Sequence, residues 1–390
     1  MTIDNINHRV QLSVNDFTYE SDGSIKFTKL KRVHDQAASD YPNMEIVYPS
    51  FPNNEIRIVI DSTTPITLGK KTDFNNQTFK IERSSDSLGK IYLFNLTSQS
   101  SPLGFKVSNK DVDSGQFHHI DELKEGMKLL CIEDTHFWTY HTRQRNIYRK
   151  DILLLKDGEA QNSVIAPYDT NGSLPNCSYC NTDDSEKWFK NLKVDRPSAT
   201  LTNITKLVHV VFQNNMVFSN VEVTTPQGVS SNTSEDSCIC IENCTNISFF
   251  NVTIHGTYSH LGENGYGYGF QLDNVWNSKF EYVEGNGTWG VFGNNNLNHV
   301  YLKNCDLNRF DIHSYGKDVI CEACTFHAHD VTGSTTTHRY NRYDGLYGVV
   351  LYKNCTFNDF YPVRIDHNFK LFTGFTLIIQ GGIINIGPNA

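Results

Sequence analysis

Between residues 216 and 384 the chain repeats one short pattern seven times: apolar, any, apolar, any, Asn, apolar or Cys, any, apolar. Anchored on its Asn-like position, the pattern falls at Asn220, Asn251, Tyr282, Asn304, Ala323, Asn354 and Gly381, with gaps of 31, 31, 22, 19, 31 and 27 residues. Two before each anchor stand Phe218, Phe249, Phe280, Leu302, Cys321, Tyr352 and Ile379; one after come Val221, Val252, Val283, Cys305, Cys324, Cys355 and Gly382. Alternation on both sides of the anchor predicts two short strands, each with one face buried, joined by a tight turn. A repeat of about twenty to thirty residues marks a solenoid, whose units bury their apolar faces only by stacking on their neighbours.

Two solenoids compete for this period. The leucine-rich horseshoe lacks its leucine spacing and its helical stretch here. A right-handed parallel β-helix fits, because β-branched and aromatic residues fill the strands and Asn tolerates the left-handed backbone of a tight turn. Stacked side-chain amides would then form a ladder. On these repeats the chain resembles the pectin-lyase-like β-helix superfamily, which includes pectate lyases, polygalacturonases and phage tailspikes. The likeness covers residues 200–387, and more weakly 33–100.

The expected architecture is all-β: a right-handed single-stranded parallel β-helix with a short N-terminal capping helix and an inserted β-rich excursion. Residues 1–28 read as an irregular lead-in. Residues 29–101 hold the cap and first coils; KLKRVHDQAASD has helical amphipathicity ahead of strand-like MEIVYP. Residues 102–198 break the rhythm and read as an excursion of antiparallel strands or a small subdomain packed beside the helix, where Trp138, Tyr140, His141, Arg143 and Arg145 form either a sugar-contacting cluster or an ordinary hairpin edge. Residues 199–390 are the main coils. Their extra residues, 226–236, 256–267 and 331–345, all follow the second strand of a coil, so they project from one face.

A net charge of -9 over 390 residues, with no long basic run, argues against nucleic acid as a partner. No stretch is apolar enough to insert into a membrane, and MTIDNINHRV lacks a signal-peptide core. The expected location is extracellular, periplasmic, cell-surface or virion-associated. Cys305, Cys324 and Cys355 share one inward position in successive coils and read as a buried thiol ladder, with Cys321 also in the core. Cys177 and Cys180 could be half a zinc site or a local disulfide. The sequons at Asn251 and Asn354 are explained by their anchor role.

The third strand of each coil would floor a groove beside the projecting loops. In NRFDIHSYGKD, inward Phe310 and Ile312 leave Arg309, Asp311 and His313 outward, with Tyr315 following. VRIDHN places Arg364 and Asp366 outward beside His367, and Arg342 and Asp344 lie in the coil between. Rungs spaced about 4.8 Å apart would set Asp311 roughly 5 Å from a residue near Asp344 and roughly 10 Å from Asp366. Asp311, His313, Asp366 and His367 are thus the expected catalytic groups. Arg309, Tyr315, Arg342, Asp344, Arg364 and Trp289 are the expected substrate contacts. Both glycosidase carboxylate separations are open to this arrangement, and so is proton abstraction beside a uronate.

The polygalacturonase motif set is not found, so no catalytic residue is carried over from the resemblance. It implies a polysaccharide lyase or glycoside hydrolase, or else a non-catalytic glycan-binding protein of the tailspike kind. No cofactor or metal is required; Ca2+ would enter if the protein is a lyase. The apolar last coil, GFTLIIQGGIINIG, has no amphipathic capping element after it, which leads us to expect either a truncated chain or a partner covering this end, such as the other chains of a homotrimer.

Overall fold

The computed structural model describes residues 1–84, 88, 91–103, 112–113, 116–117, 120–140, 146–164, 176–196, 205–224, 236–257, 267–287, 291–293, 295–312, 316–327, 340–343, 346–358, 361–365 and 375–385. The coils contribute up to three strand segments each among the described residues, and they stack through parallel pairings into a right-handed β-helix. The first face carries Arg9–Gln11, Glu45–Val47 and then the segment before each anchor, out to Phe375–Gln380. The second stacks Ile25–Lys26, Glu55–Ile60 and the segments after each anchor, ending at Ile383–Asn385. The third runs from Ile66–Thr67 through Ile91–Thr97 and Thr205–Val211 into the starts of Asp236–Thr257 and Gly267–Gly287. In later coils its counterpart is a three-stranded parallel sheet of Asp311–Ile312, Tyr340–Tyr343 and Tyr361–Ile365.

All seven anchors have positive φ, including Tyr282 and Ala323, which lack the amide that makes this conformation easy. Where Asn is present, the ladder forms: Asn251 Nδ2 donates to Asn220 Oδ1 at 2.8 Å, and Asn220 Nδ2 to Asn191 Oδ1 at 2.9 Å. Two further left-handed columns mark the corner between the third and first faces. One contains Asn243, Asn274 and Asn296; the other contains Asn246, Asn277, His299 and Asp318. Inside the coils Phe218, Phe249 and Phe280 stack with ring centroids 4.9 and 4.8 Å apart. Cys305, Cys321, Cys324 and Cys355 are buried free thiols, as the alternation predicts.

Helix α1, Phe27–Asp40, takes the third-face position of the first coil. Phe27, Leu30, Val33, His34 and Ala37 form its buried stripe. Asp35 Oδ1 accepts from Thr67 N at 2.8 Å, which covers an otherwise open strand end. The lead-in is more regular than expected. Thr2–Asp4 and Arg9–Gln11 form a hairpin, and Arg9–Gln11 joins the first face.

The excursion leaves after Ile91–Thr97, at the corner between the third and first faces. It forms a five-stranded antiparallel sheet whose central strands are Met127–Tyr140 and Asn146–Lys156, flanked by Asn176–Thr182. One side buries Leu130, Ile132, Leu153 and Leu155; the other packs Leu129, Cys131, Ile152 and Leu154 onto Phe212 and Trp276 of the solenoid. The excursion ends earlier than residue 198. Lys187–Asp195 already belongs to the solenoid, pairing with Lys71–Arg83 on one side and Asn214–Thr224 on the other. Cys177 and Cys180, three apart on an extended strand, face opposite sides of the inserted sheet. Neither forms a disulfide, and no metal-binding group of three occurs among the described residues.

At the last coil Leu377, Ile378, Ile379, Ile383 and Ile384 are 40–56% exposed. No helix among the described residues is long and apolar enough to cross a membrane.

Candidate functional site

The third face concentrates the polar chemistry, and strand alternation explains why. Val208 and Val210, Ile239 and Ile241, and Phe270 and Leu272 fill the core, so His209, Cys240 with Glu242, and Gln271 with Asp273 leave the opposite side. Parallel register aligns His209 with Cys240 and Gln271 in one column, and Val211 with Glu242, Asp273 and Asn295 in the next. Two carboxylates therefore stand on neighbouring rungs.

His209 Nε2 lies 3.0 Å from Glu242 Oε1. Its ring stacks on Tyr92, with centroids 4.9 Å apart, and Lys206 Nζ sits 5.3 Å over the Tyr92 ring. Tyr92 OH donates to Cys240 Sγ at 3.3 Å. The inserted sheet supplies the other wall. Lys150 Nζ and Glu133 Oε1 approach to 3.5 Å from paired strands. Cys131 Sγ donates to Asn243 Oδ1 at 3.4 Å, and the same oxygen accepts from Asn274 Nδ2 at 2.7 Å, which ties this wall to the corner ladder.

The environment drives the two carboxylates apart. The hydrogen bond from His209 holds the Glu242 carboxyl below its ordinary range, against a burial effect that raises it; the charges of His209, Lys150 and Lys206 add to the lowering. Burial pushes Asp273 up to about 6, opposed by Lys150 and reinforced by the charges of Glu242 and Glu133. Asn296 Nδ2 donates to Asp273 Oδ1 at 3.3 Å. One group is thus set to be ionised near neutrality, while the other keeps its proton to higher pH than a normal carboxyl. Environments that separate a pair in this way are those of acid and base partners.

Of the expected cluster, Arg309 and Asp311 are described with their side chains, and these two are differently placed. Asp311 and Arg309 are both buried, at 0% and 1% exposure, alongside Phe310 and Ile312, so they do not line an open groove. They bond to each other, with Arg309 Nε donating to Asp311 Oδ2 at 2.7 Å and Nη2 donating to the same oxygen. Pairing of this kind makes burial of both charges tolerable. Register aligns Asp311 with Arg342, and Arg342 with Arg364, so the column through Asp311 meets two arginines rather than Asp344 and Asp366. For Arg342 and Arg364, strand position alone is described. His313, Tyr315, Asp344, Asp366, His367 and Trp289 lie outside the described residues, as do His141, Arg143 and Arg145. Trp138 and Tyr140 end the strand Met127–Tyr140.

The sequence points to third-face strands of later coils, Asp311–Ile312 and Tyr361–Ile365. Glu242 and Asp273 are not among the residues it singles out, although their separation of 31 equals the spacing of Asn220 and Asn251 on adjacent coils. Equal spacing is the signal that would have found them.

No protein-family model and no curated protein matches the chain. Among solved structures it is similar to the gp61 tailspike of Pseudomonas phage phi297, at 11% identity and a TM-score of 0.47 over 98% of this chain and 76% of that one. It is also similar to the Gp54 tailspike of Acinetobacter baumannii bacteriophage AP22, solved with a capsular saccharide, at 12% identity and a TM-score of 0.44 over 94% and 72%. The gp49 tailspike of Pseudomonas phage LKA1 matches at 10% identity and a TM-score of 0.37, over 92% and 74%. By its own strand topology, the chain belongs to the parallel β-helix proteins.

Proposed function

We propose that the chain is a carbohydrate-active β-helix protein that cleaves a polysaccharide lying along its third face, beside the inserted sheet. The observation that supports this reading is the pair Glu242 and Asp273, on adjacent rungs and in opposed protonation environments. Around it, Tyr92, His209 and Lys206 offer a stacked aromatic surface edged by a cation, a combination suited to sugar rings and their hydroxyls. Arg309 and Asp311 are structural in this reading. Work outside the cell or on a virion belongs to the same proposal, as does coverage of the apolar last coil by further copies of the chain.

The test is incubation of the purified chain with a panel of bacterial capsular polysaccharides, O-chain polysaccharides and pectins. New reducing ends without unsaturated uronates are expected. Unsaturated products, particularly if they require calcium, would mark a lyase instead. Binding without any cleavage would mark a receptor-binding protein and end the enzymatic reading.

A further inference from the structure

We infer that Glu242 and Asp273 hydrolyse a glycosidic bond with retention of anomeric configuration, Glu242 as the nucleophile and Asp273 as the acid and then the base. The inference rests on the reading above and adds the reaction course to it.

Separation is the first argument. Glu242 and Asp273 are register partners in parallel strands and leave the same side of adjacent coils. Neighbouring strands lie about 4.8 Å apart, so the backbones that carry the two carboxyls are spaced about 5 Å apart. Retaining enzymes hold their carboxyls about 5–5.5 Å apart, whereas inverting enzymes need about 6.5–9.5 Å to admit a water between carboxylate and sugar. The rung spacing is the closer match to the retaining separation.

The hydrogen bonds assign the roles. His209 Nε2, 3.0 Å from Glu242 Oε1, fixes one oxygen of Glu242 and leaves the other for attack. Asn296 donates to Asp273 Oδ1, which makes Oδ1 an acceptor and places the acid proton on Oδ2. The charged groups facing the pair act in the same sense. Glu242 meets His209, Lys150 and Lys206, whose charges keep it ionised. Asp273 meets Glu242 and Glu133, which favour its proton, and Lys150, which moderates them. His209 is a positioning residue here, because it acts through Glu242.

In the first step a Glu242 oxygen bonds to the anomeric carbon as the glycosidic C–O bond breaks, and Asp273 delivers its proton to the departing oxygen. In the second, Asp273, now ionised, takes a proton from water; the water oxygen bonds to the anomeric carbon, and the ester to Glu242 breaks. Carboxylate, proton and charge return to their starting state with one water consumed.

The experiment uses the full chain and whichever capsular or O-chain polysaccharide of the panel it cleaves. Proton NMR of the first-formed product should show the reducing end in the configuration of the bond that was cut. Glu242→Gly with sodium azide should yield a glycosyl azide of the opposite configuration. Asp273→Ala with azide should yield one of the original configuration. An inverted first product, or an unsaturated uronate, overturns this inference while leaving a cleaving enzyme in place. Absence of cleavage across the whole panel overturns it together with the reading it rests on. If either variant fails to fold, by its circular dichroism and melting curve, the wild-type NMR result decides alone.

Discussion

The left-handed anchors do not burden the chain equally, and Ala323 carries more strain than its neighbours. At φ 53° its Cβ crowds the following carbonyl, while Asn304 and Asn354 in the adjacent coils occupy the same conformation with an amide that compensates. Ala323 is exposed, so a larger side chain has room. Ala323→Asn should raise the unfolding free energy by about 1 kcal/mol, seen as a higher denaturant midpoint with an unchanged slope. A second residue-scale prediction concerns His34, fully buried on the inward face of α1 with Nδ1 2.9 Å from Tyr48 OH. Burial lowers its pKa from 6.5 to about 3, so between those values the unfolded chain binds a proton that the folded chain does not. Its contribution is therefore complete above pH 6.5 and is lost as pH falls toward 3, by at most about 1.4 kcal/mol per pH unit. His34→Gln should flatten the acid side of the stability curve; an unchanged slope in pH-dependent chemical denaturation would contradict this origin.

At the scale of elements, the anchor ladder and the Phe stack were legible because period-two alternation and a constant coil length leave few choices. Phe249, between Phe218 and Phe280, should be the most sensitive member of the stack, and Phe249→Ala should cost about 3–5 kcal/mol in equilibrium unfolding. The coil at Lys187–Asp195 escaped notice because Lys187 stands where the pattern expects an apolar residue. The solenoid accepts it, since Nζ bonds Asp183 Oδ1 at 3.1 Å and Asn214 O at 2.9 Å. The corner columns through Asn243 and Asn246 were also unread, because Cys244 and Thr245 between them look like strand. Alternation predicts which side of a strand a residue leaves. It does not predict what packs over that side, and for this reason Arg309 and Asp311 looked available when they are buried.

For the whole molecule, stacking of coils turns spacing along the chain into proximity. Glu242 and Asp273 are neighbours because one coil separates them, and Lys150 joins them because the inserted sheet folds back over the corner. The coil relation was present in the sequence; the fold-back was not, since it depends on apolar contacts of Leu129, Ile152 and Leu154 with Phe212 and Trp276. The apolar last coil adds a prediction at this scale. Light scattering should give a mass above that of the monomer, and Ile379→Asp should return it to the monomer; a monodisperse wild-type monomer would count against coverage by further copies. Glu242 and Asp273 on the third face are the groups on which the proposed activity depends. The measurement that tests it most directly is the cleavage rate of Glu242→Gln beside that of wild type on the same polysaccharide. The predicted result is a loss of about 10³-fold with the melting curve unchanged. A variant that cleaves at the wild-type rate would contradict the assignment.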